Sequence, residues 1–274
     1  MSVLAVEALK IPAFIRRDFL VAWSYRMSFV TDLVGLAGQA LVFYFISQLV
    51  DSSKLPTFQG TEVTYLEFAT VGLLLGAFIH FGMQNVAQAV RNEQLMGTLE
   101  SLLVTPTAPY TIQLGSVAFV FLYLPIRIIL LVGVLALAFG LNFQAEGVLP
   151  ALALLITFMP FVWGLGVISA AVIVTFKRGG GLVGMGALAL AFVSGLYFPI
   201  ELLPGWLTSI AEQNPIAVAV EGMRDALLGG AGWSEVGSSI LLLAPLSLGL
   251  LFAGLLAFEL ALARERRLGT VGLY

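Results

Sequence analysis

The chain has no cysteine and only one histidine, His80, among its 274 residues. Disulfides, thiolate metal sites and cysteine nucleophiles are therefore excluded, and a multi-histidine metal centre cannot be assembled within one chain. Charge is also scarce. Asp, Glu, Lys and Arg make up 11% of the residues, against roughly 25% in an ordinary soluble domain. The net charge of −3 offers no basic footprint for nucleic acid. With no clustered carboxylates, a membrane-embedded enzyme has few ways to build a site, and a serine hydrolase would need His80 beside a serine. Residues 1–26 carry Glu7, Lys10, Arg16, Arg17, Asp18 and Arg26 without an uninterrupted apolar core, so they do not read as a cleavable signal peptide.

Apolar side chain is abundant, at 59% of the chain, and it comes in long runs. A water-soluble globule of this length cannot cover so much of it with polar surface. The expectation is an all-α polytopic membrane protein. A spanning helix needs roughly 20 mostly apolar residues, and six segments qualify, at about 28–50, 65–90, 111–140, 148–176, 182–199 and 237–260. They form a single transmembrane domain over 28–260. The second, third and fourth exceed the bilayer thickness and should tilt, kink or project, with Pro125 and Pro160 as kink points. No internal repeat is evident, which disfavours the inverted-repeat plan of secondary transporters.

Lysine and arginine set the orientation. Lys10, Arg16, Arg17 and Arg26 precede span 1, Arg91 follows span 2, Lys177 and Arg178 follow span 4, and Arg264, Arg266 and Arg267 lie in the basic tail over 261–274. The opposite side has only Lys54 and Arg224, so both termini are expected in the cytoplasm. Over 1–27, Ile11, Phe14, Ile15, Phe19, Ala22 and Trp23 recur at near-helical spacing, as in an amphipathic helix lying along the inner leaflet. The stretch 199–236 is too apolar for a free loop and too broken for two spans. Pro199, Pro204 and Pro215 divide it, and Trp206 and Trp233 are interface anchors. Two short helices dipping into the outer leaflet and packing on spans 5 and 6 are expected, with Glu221, Arg224 and Asp225 as a solvated charge cluster.

Polar residues within spans are functional candidates because each costs free energy in hydrocarbon. Asp32, Gly35, Gln39 and Phe43 share one face of span 1, and His80, Gln84 and Gln88 share one face of span 2 with Asn85 beside them. They suit either a substrate path or interhelical hydrogen bonds, and His80 is expected to make a neutral hydrogen bond. Arg127, two residues after Pro125 inside span 3, must face a partner carboxylate, free carbonyls or water, with Asp32, Glu67 and Glu259 of other spans as possible mates and contact with substrate or a lipid headgroup as the alternative. Small residues at Ala187, Ala191 and Gly195, and at Gly249, Ala253 and Ala257, repeat every four positions and permit close helix approach, within the chain or between copies.

The connection over 91–106 combines Gly97, where the backbone can reorient, with an amphipathic Thr98–Leu103 stretch closed by Pro106. It suits docking into another protein's groove or resting on the membrane surface. Glu93-x-x-x-Gly97-Thr98-Leu99-Glu100-x-Leu102-Leu103-x-Thr105-Pro106 resembles the cytoplasmic coupling segment of type-2 ATP-binding-cassette (ABC) export permeases. Ser194-Gly-Leu-Tyr-Phe198-Pro199-Ile-Glu201-x-Leu203-Pro204, followed by Asn214-Pro215 and Arg224, is similar to the same family's outer re-entrant hairpin.

The resemblance implies two membrane subunits, a second copy of this chain or a homologous permease, paired with two ABC ATP-binding subunits in the inner membrane of a prokaryote. Glu93 to Pro106 would then contact the ATPase. It also implies export of a hydrophobic or amphipathic substrate, such as a drug, lipid or glycoconjugate. No G-x-x-x-x-G-K-[ST] loop occurs, and Gly179 to Gly181 lack its order, so ATP and Mg are expected in the partner and no cofactor on this chain. An ion-gradient-driven transporter or channel is the alternative.

Overall fold

Apolar segments fold as helices because, away from water, each backbone donor and acceptor must be paired within its own segment. The computed structural model describes residues 9–24, 26–51, 55–95, 140–176 and 179–268, and, between 111 and 138, a set of spaced positions that are all helical. The helices are α1 (Ile11–Ser24), α2 (Arg26–Ser47), α3 (Tyr65–Leu95) and α4 (Val148–Phe176). They continue with α5 (Gly180–Val193), α6 (Gly205–Glu212), α7 (Pro215–Leu227) and α8 (Trp233–Leu268). Single 3-10 turns, Ala145–Gly147 and Ile200–Leu202, precede α4 and α6. There is no strand among the described residues, only a lone bridge between Phe58 and Thr61.

Among the described residues, three stretches are long and apolar enough to cross a bilayer: Tyr65–Gln84, Ala145–Phe176 and Trp233–Glu265. They differ in what they face. The apolar stretch of α3 is 78% buried and that of α8 only 17%, so α3 is interior while α8 turns Leu241, Leu248, Phe252 and Leu256 outward. An apolar face of that size suits lipid contact.

Helix α4 is central, with α8, α3 and α7 against it. Phe68, Leu74, Phe78, Leu154, Phe158, Val162, Ile216 and Val220 form the main core between α3, α4 and α7. A second cluster joins α4 to α8 through Val167, Ala170, Val174, Phe258 and Leu262. Two glycines allow the α4–α8 approach. A Cβ on Gly164 would lie 2.7 Å from the Leu250 carbonyl, and one on Gly254 would lie 2.8 Å from the Gly164 oxygen. At the amino end, α1 packs on the helical positions described between 111 and 138: a Cβ at Gly115 would fall 2.6 Å from the Phe14 ring and Phe19 meets Phe119 edge-on at 6.2 Å. Leu20, Val21 and Trp23 are left exposed along α1.

The start of α3 at Tyr65 agrees with the sequence expectation, whereas several other boundaries depart from it. Helix α3 begins at a capping box, in which Glu67 accepts from both the amide and the hydroxyl of Thr64 at 2.9 Å and Thr64 Oγ1 accepts from the Glu67 amide at 3.3 Å. Glu67 is thereby engaged at the helix start. The same helix runs through Arg91 to Leu95, into what reads as the coupling connection. Helix α8 likewise continues through Leu268, taking up most of the expected tail. In contrast, α5 stops at Val193 and not near 199, because Ser194 and Gly195 turn the chain, with Gly195 at φ +65°. The two short helices of 199–236 are present as α6 and α7. However, α7 packs mainly on α4, with α8 and α3 beside it, and α6 packs on α5.

Candidate functional site

Helices α2, α3 and α5 enclose a cavity of about 510 Å3, floored by Leu196, Tyr197 and Ile216. Thr31 and Gly35 line it from α2, Gly76, Ala77 and His80 from α3, and Gly184, Ala187 and Ala191 from α5. The spaces beside Gly35 and Gly184 are open, since a Cβ at either position would meet nothing within 4 Å. Alanine and glycine at these wall positions give the cavity its volume.

His80 is exposed on this wall, and its ring meets the edge of Phe81 at 6.1 Å. Among the described residues it makes no hydrogen bond, and the side chains of Asp32 and Gln39 on α2 lie outside them. Gln84 is half-buried and Gln88 exposed, further along the same helix. Phe43 stacks on Tyr197 at 5.5 Å and tilts against Tyr65 at 6.4 Å, closing α2 over the cavity floor. Asp32, Gln39 and Glu93 sit on helices, but their side chains lie outside the described residues, as do Pro125, Arg127, Asn85 and the whole of Gly97, Thr98, Leu99, Glu100, Leu102, Leu103, Thr105 and Pro106.

Beneath the floor the 194–224 motif folds into one buried knot. Asn214 caps α7 by accepting from the Ile216 amide at 3.0 Å, with Pro215 at the first helical position. Its Nδ2 donates to Ser194 Oγ at 2.8 Å, and Ser194 in turn donates to the Leu190 carbonyl. The end of α5 is thus tied to the start of α7. Pro199 is buried and Pro204 leads into α6, while Glu201 is exposed on the 3-10 turn.

Arg224 completes the knot and corrects the expectation of a solvated cluster. It has no exposed surface. Nη1 donates to Glu221 Oε1 at 3.0 Å, and Nη2 donates to the Leu196 carbonyl at 3.0 Å. The guanidinium carbon stands 3.5 Å from the centre of the Phe68 ring, which supplies a cation–π contact worth more when desolvated. Nε has no acceptor among the described residues. Burial draws Arg224 down to about 10, opposed by Glu221, so it stays charged at neutral pH. Burial likewise holds Glu221 above the ordinary carboxylate range in spite of Arg224, and raises Asp225, with Glu235 adding to it.

Helix α3 makes room for this at Gly72, whose absent Cβ would collide with the Leu196 carbonyl oxygen and lie 3.1 Å from Arg224 Nη2. Tyr65 donates to the Tyr197 carbonyl at 3.1 Å, a second tie between α3 and the turn. Gly72, Phe68 and Tyr65 were not distinguished in the sequence, where they are ordinary members of an apolar run.

The small residues of α8 divide: Gly249 and Ala253 are exposed, with open space beside Gly249 among the described residues, whereas Ala257 packs on the α4–α8 cluster. The close approach to the α4 backbone belongs to Gly254, one position away from Ala253.

Known proteins match the same region. Residues 10–228 match the family described as ABC-2 type transporter. The inner membrane transport permease YadH of Escherichia coli strain K12 is 26% identical over 170 residues, covering 61% of this chain and 64% of its own length. The YadH proteins of Escherichia coli O157:H7 and Shigella flexneri match to the same extent. The chain therefore spans less than two thirds of the length of these curated relatives. The family match runs from α1 through the end of α7, taking in the cavity and the knot beneath it, and the chain belongs to the ABC-2 type transporter family.

Proposed function

We propose that this chain is the membrane-spanning permease subunit of an ATP-driven exporter, moving a hydrophobic or amphipathic substrate out of the cytoplasm or its inner leaflet. The observation that carries the reading is the 510 Å3 cavity between α2, α3 and α5. Its walls are mostly apolar, and the polar side chains on them, Thr31, His80 and Tyr197, are few, as suits an amphipathic ligand. Asp32, Gln39 and Arg127 remain candidates for the polar part of the path.

Six spans with both termini in the cytoplasm fit the asymmetry of Lys and Arg. The relatives' description as inner membrane transport permeases supports an inner-membrane location. Two copies of this chain, or this chain and a homologue, would pair with two ATP-binding subunits that carry ATP and Mg. The segment from Glu93 to Pro106 would be the handle that those subunits move, and α6 with α7 would form a re-entrant hairpin on the outer side. The membrane chain performs no bond chemistry, and its work is differential affinity for substrate between inward-facing and outward-facing states.

The test is reconstitution in vesicles with a co-purifying ABC ATPase. Transport should require ATP and be blocked by vanadate, and Glu93→Ala or Glu100→Ala should reduce substrate-stimulated ATPase while insertion is unchanged. Transport on an ion gradient without ATP would instead establish the secondary-transporter alternative.

A further inference from the structure

A second hollow, with no lining residue in common with the cavity, lies between the carboxyl-terminal ends of α4 and α8. It is an open groove of about 310 Å3. Ile168, Ala171, Val172 and Thr175 line it from α4, and Ala257, Ala261 and Arg264 from α8. Both sets follow the three-and-four spacing of a single helix face over about two turns. Ala171 and Ala261 are buried and form the floor, whereas Phe176 and Leu260, 62% and 63% exposed, stand up as its rims. The result is an apolar channel of methyl groups with raised sides and one cation.

Arg264 sits at the last turn of the stretch Trp233–Glu265 that is apolar enough to cross a bilayer, which is headgroup depth for a helix of this length. It is exposed and has no carboxylate partner among the described residues. Neither Glu259 nor Glu265 lines the groove. A guanidinium there presents a planar fork to phosphate, and its alkyl stem can lie along the apolar wall.

We propose that this groove binds one anionic phospholipid, its acyl chain lying between α4 and α8 and its phosphate on Arg264. The occupant is fixed by complementarity: an apolar channel accepts the chain, and an unpaired cation at headgroup depth favours a headgroup with net negative charge. This goes beyond the transport reading and requires only that α8 lies in a bilayer, so either can fail alone.

The full-length chain, purified in detergent, delipidated and exposed to equal phosphatidylglycerol and phosphatidylcholine with the same acyl chains, is then examined by native mass spectrometry. The expected result is one retained phosphatidylglycerol, preferred about fivefold. Arg264→Gln should bring the two lipids to parity and Arg264→Lys should keep a preference. Ala257→Trp should expel both lipids by filling the channel. Arg267→Gln, one turn beyond and outside the lining, should change nothing. No preference in the wild type, or equal loss in Arg267→Gln, would overturn the proposal in favour of diffuse surface charge. If Ala257→Trp dissolves a dimer while lipid retention is unchanged, the groove is a subunit contact and the proposal is wrong.

Discussion

The Arg224 guanidinium lies against Phe68, 3.5 Å from its ring centre, while its two terminal nitrogens hold Glu221 and the Leu196 carbonyl. One side chain thus joins α7, α3 and the turn after α5. Truncating it leaves a buried carbonyl without its donor and a cavity beside Phe68. Arg224→Ala should therefore cost about 3–5 kcal/mol, read as a large fall in the melting temperature of the purified protein. Arg224→Lys should recover only part of the loss, since an ammonium cannot stack and fork together. Wild-type melting in Arg224→Ala would show that the knot does not hold the hairpin.

Gly72 and Gly35 separate crowding from open space. A methyl at position 72 would collide with the Leu196 carbonyl, a backbone atom that cannot rotate away. Gly72→Ala should cost about 1–3 kcal/mol or more. Gly35→Ala meets nothing within 4 Å and only narrows the cavity. It should not lower melting, and can raise it slightly through helix propensity, while altering the apparent affinity for transported substrate. Equal stability of the two variants would contradict the placement of α3 against Leu196.

The close contact of α4 with α8 predicts a similar contrast. Gly164→Ala and Gly254→Ala should each be destabilising, because each added carbon would meet backbone at 2.7–2.8 Å. Gly249→Ala should cause no loss and can gain up to about 1 kcal/mol from helix propensity. Thermal melting of the three variants side by side is the check.

Glu221 gives a pH dependence whose sign follows from its burial. Its carboxyl titrates above the ordinary range in the folded protein and within it when unfolded. The folded state therefore binds more protons across that interval, and this residue's contribution falls as pH rises through it. Acidifying from pH 7 toward the ordinary carboxylate range should stabilise the wild type relative to Glu221→Gln, which cannot take up the proton. A melting difference that moves the other way would mean that Arg224 outweighs burial.

His80→Ala removes no hydrogen bond among the described residues. Stability should be unaffected and transport largely retained. Complete loss of transport would point to a proton-handling role for the ring exposed on the cavity wall.

The helices were readable where an apolar run marks them. The start of α3 at Tyr65 was legible as the edge of an apolar run, whereas its cap, Thr64 with Glu67, and the cap of α7, Asn214 with Pro215, were not singled out as caps. The cavity was partly readable, since Gly35 and His80 lie on the faces singled out by their spacing. The fate of Arg224 was not. Glu221-x-x-Arg224-Asp225 has the spacing of a solvated helical cluster. What buries it is Phe68 and Gly72, residues of a distant helix that look alike with or without an arginine beneath them. The phase of the glycines on α8 was also hidden. Gly249 and Gly254 are equally apolar and equally small, and only the position of α4 decides which is used.

Gly164 and Gly254 bring two long helices together at main-chain distance, with no side chain between them to act as a bearing. Such a pair resists sliding, because any shift along the axes drives carbonyl into carbonyl. The α4–α8 pair is thus held as one unit at this crossing, and any movement of one helix along the other would first have to part their backbones.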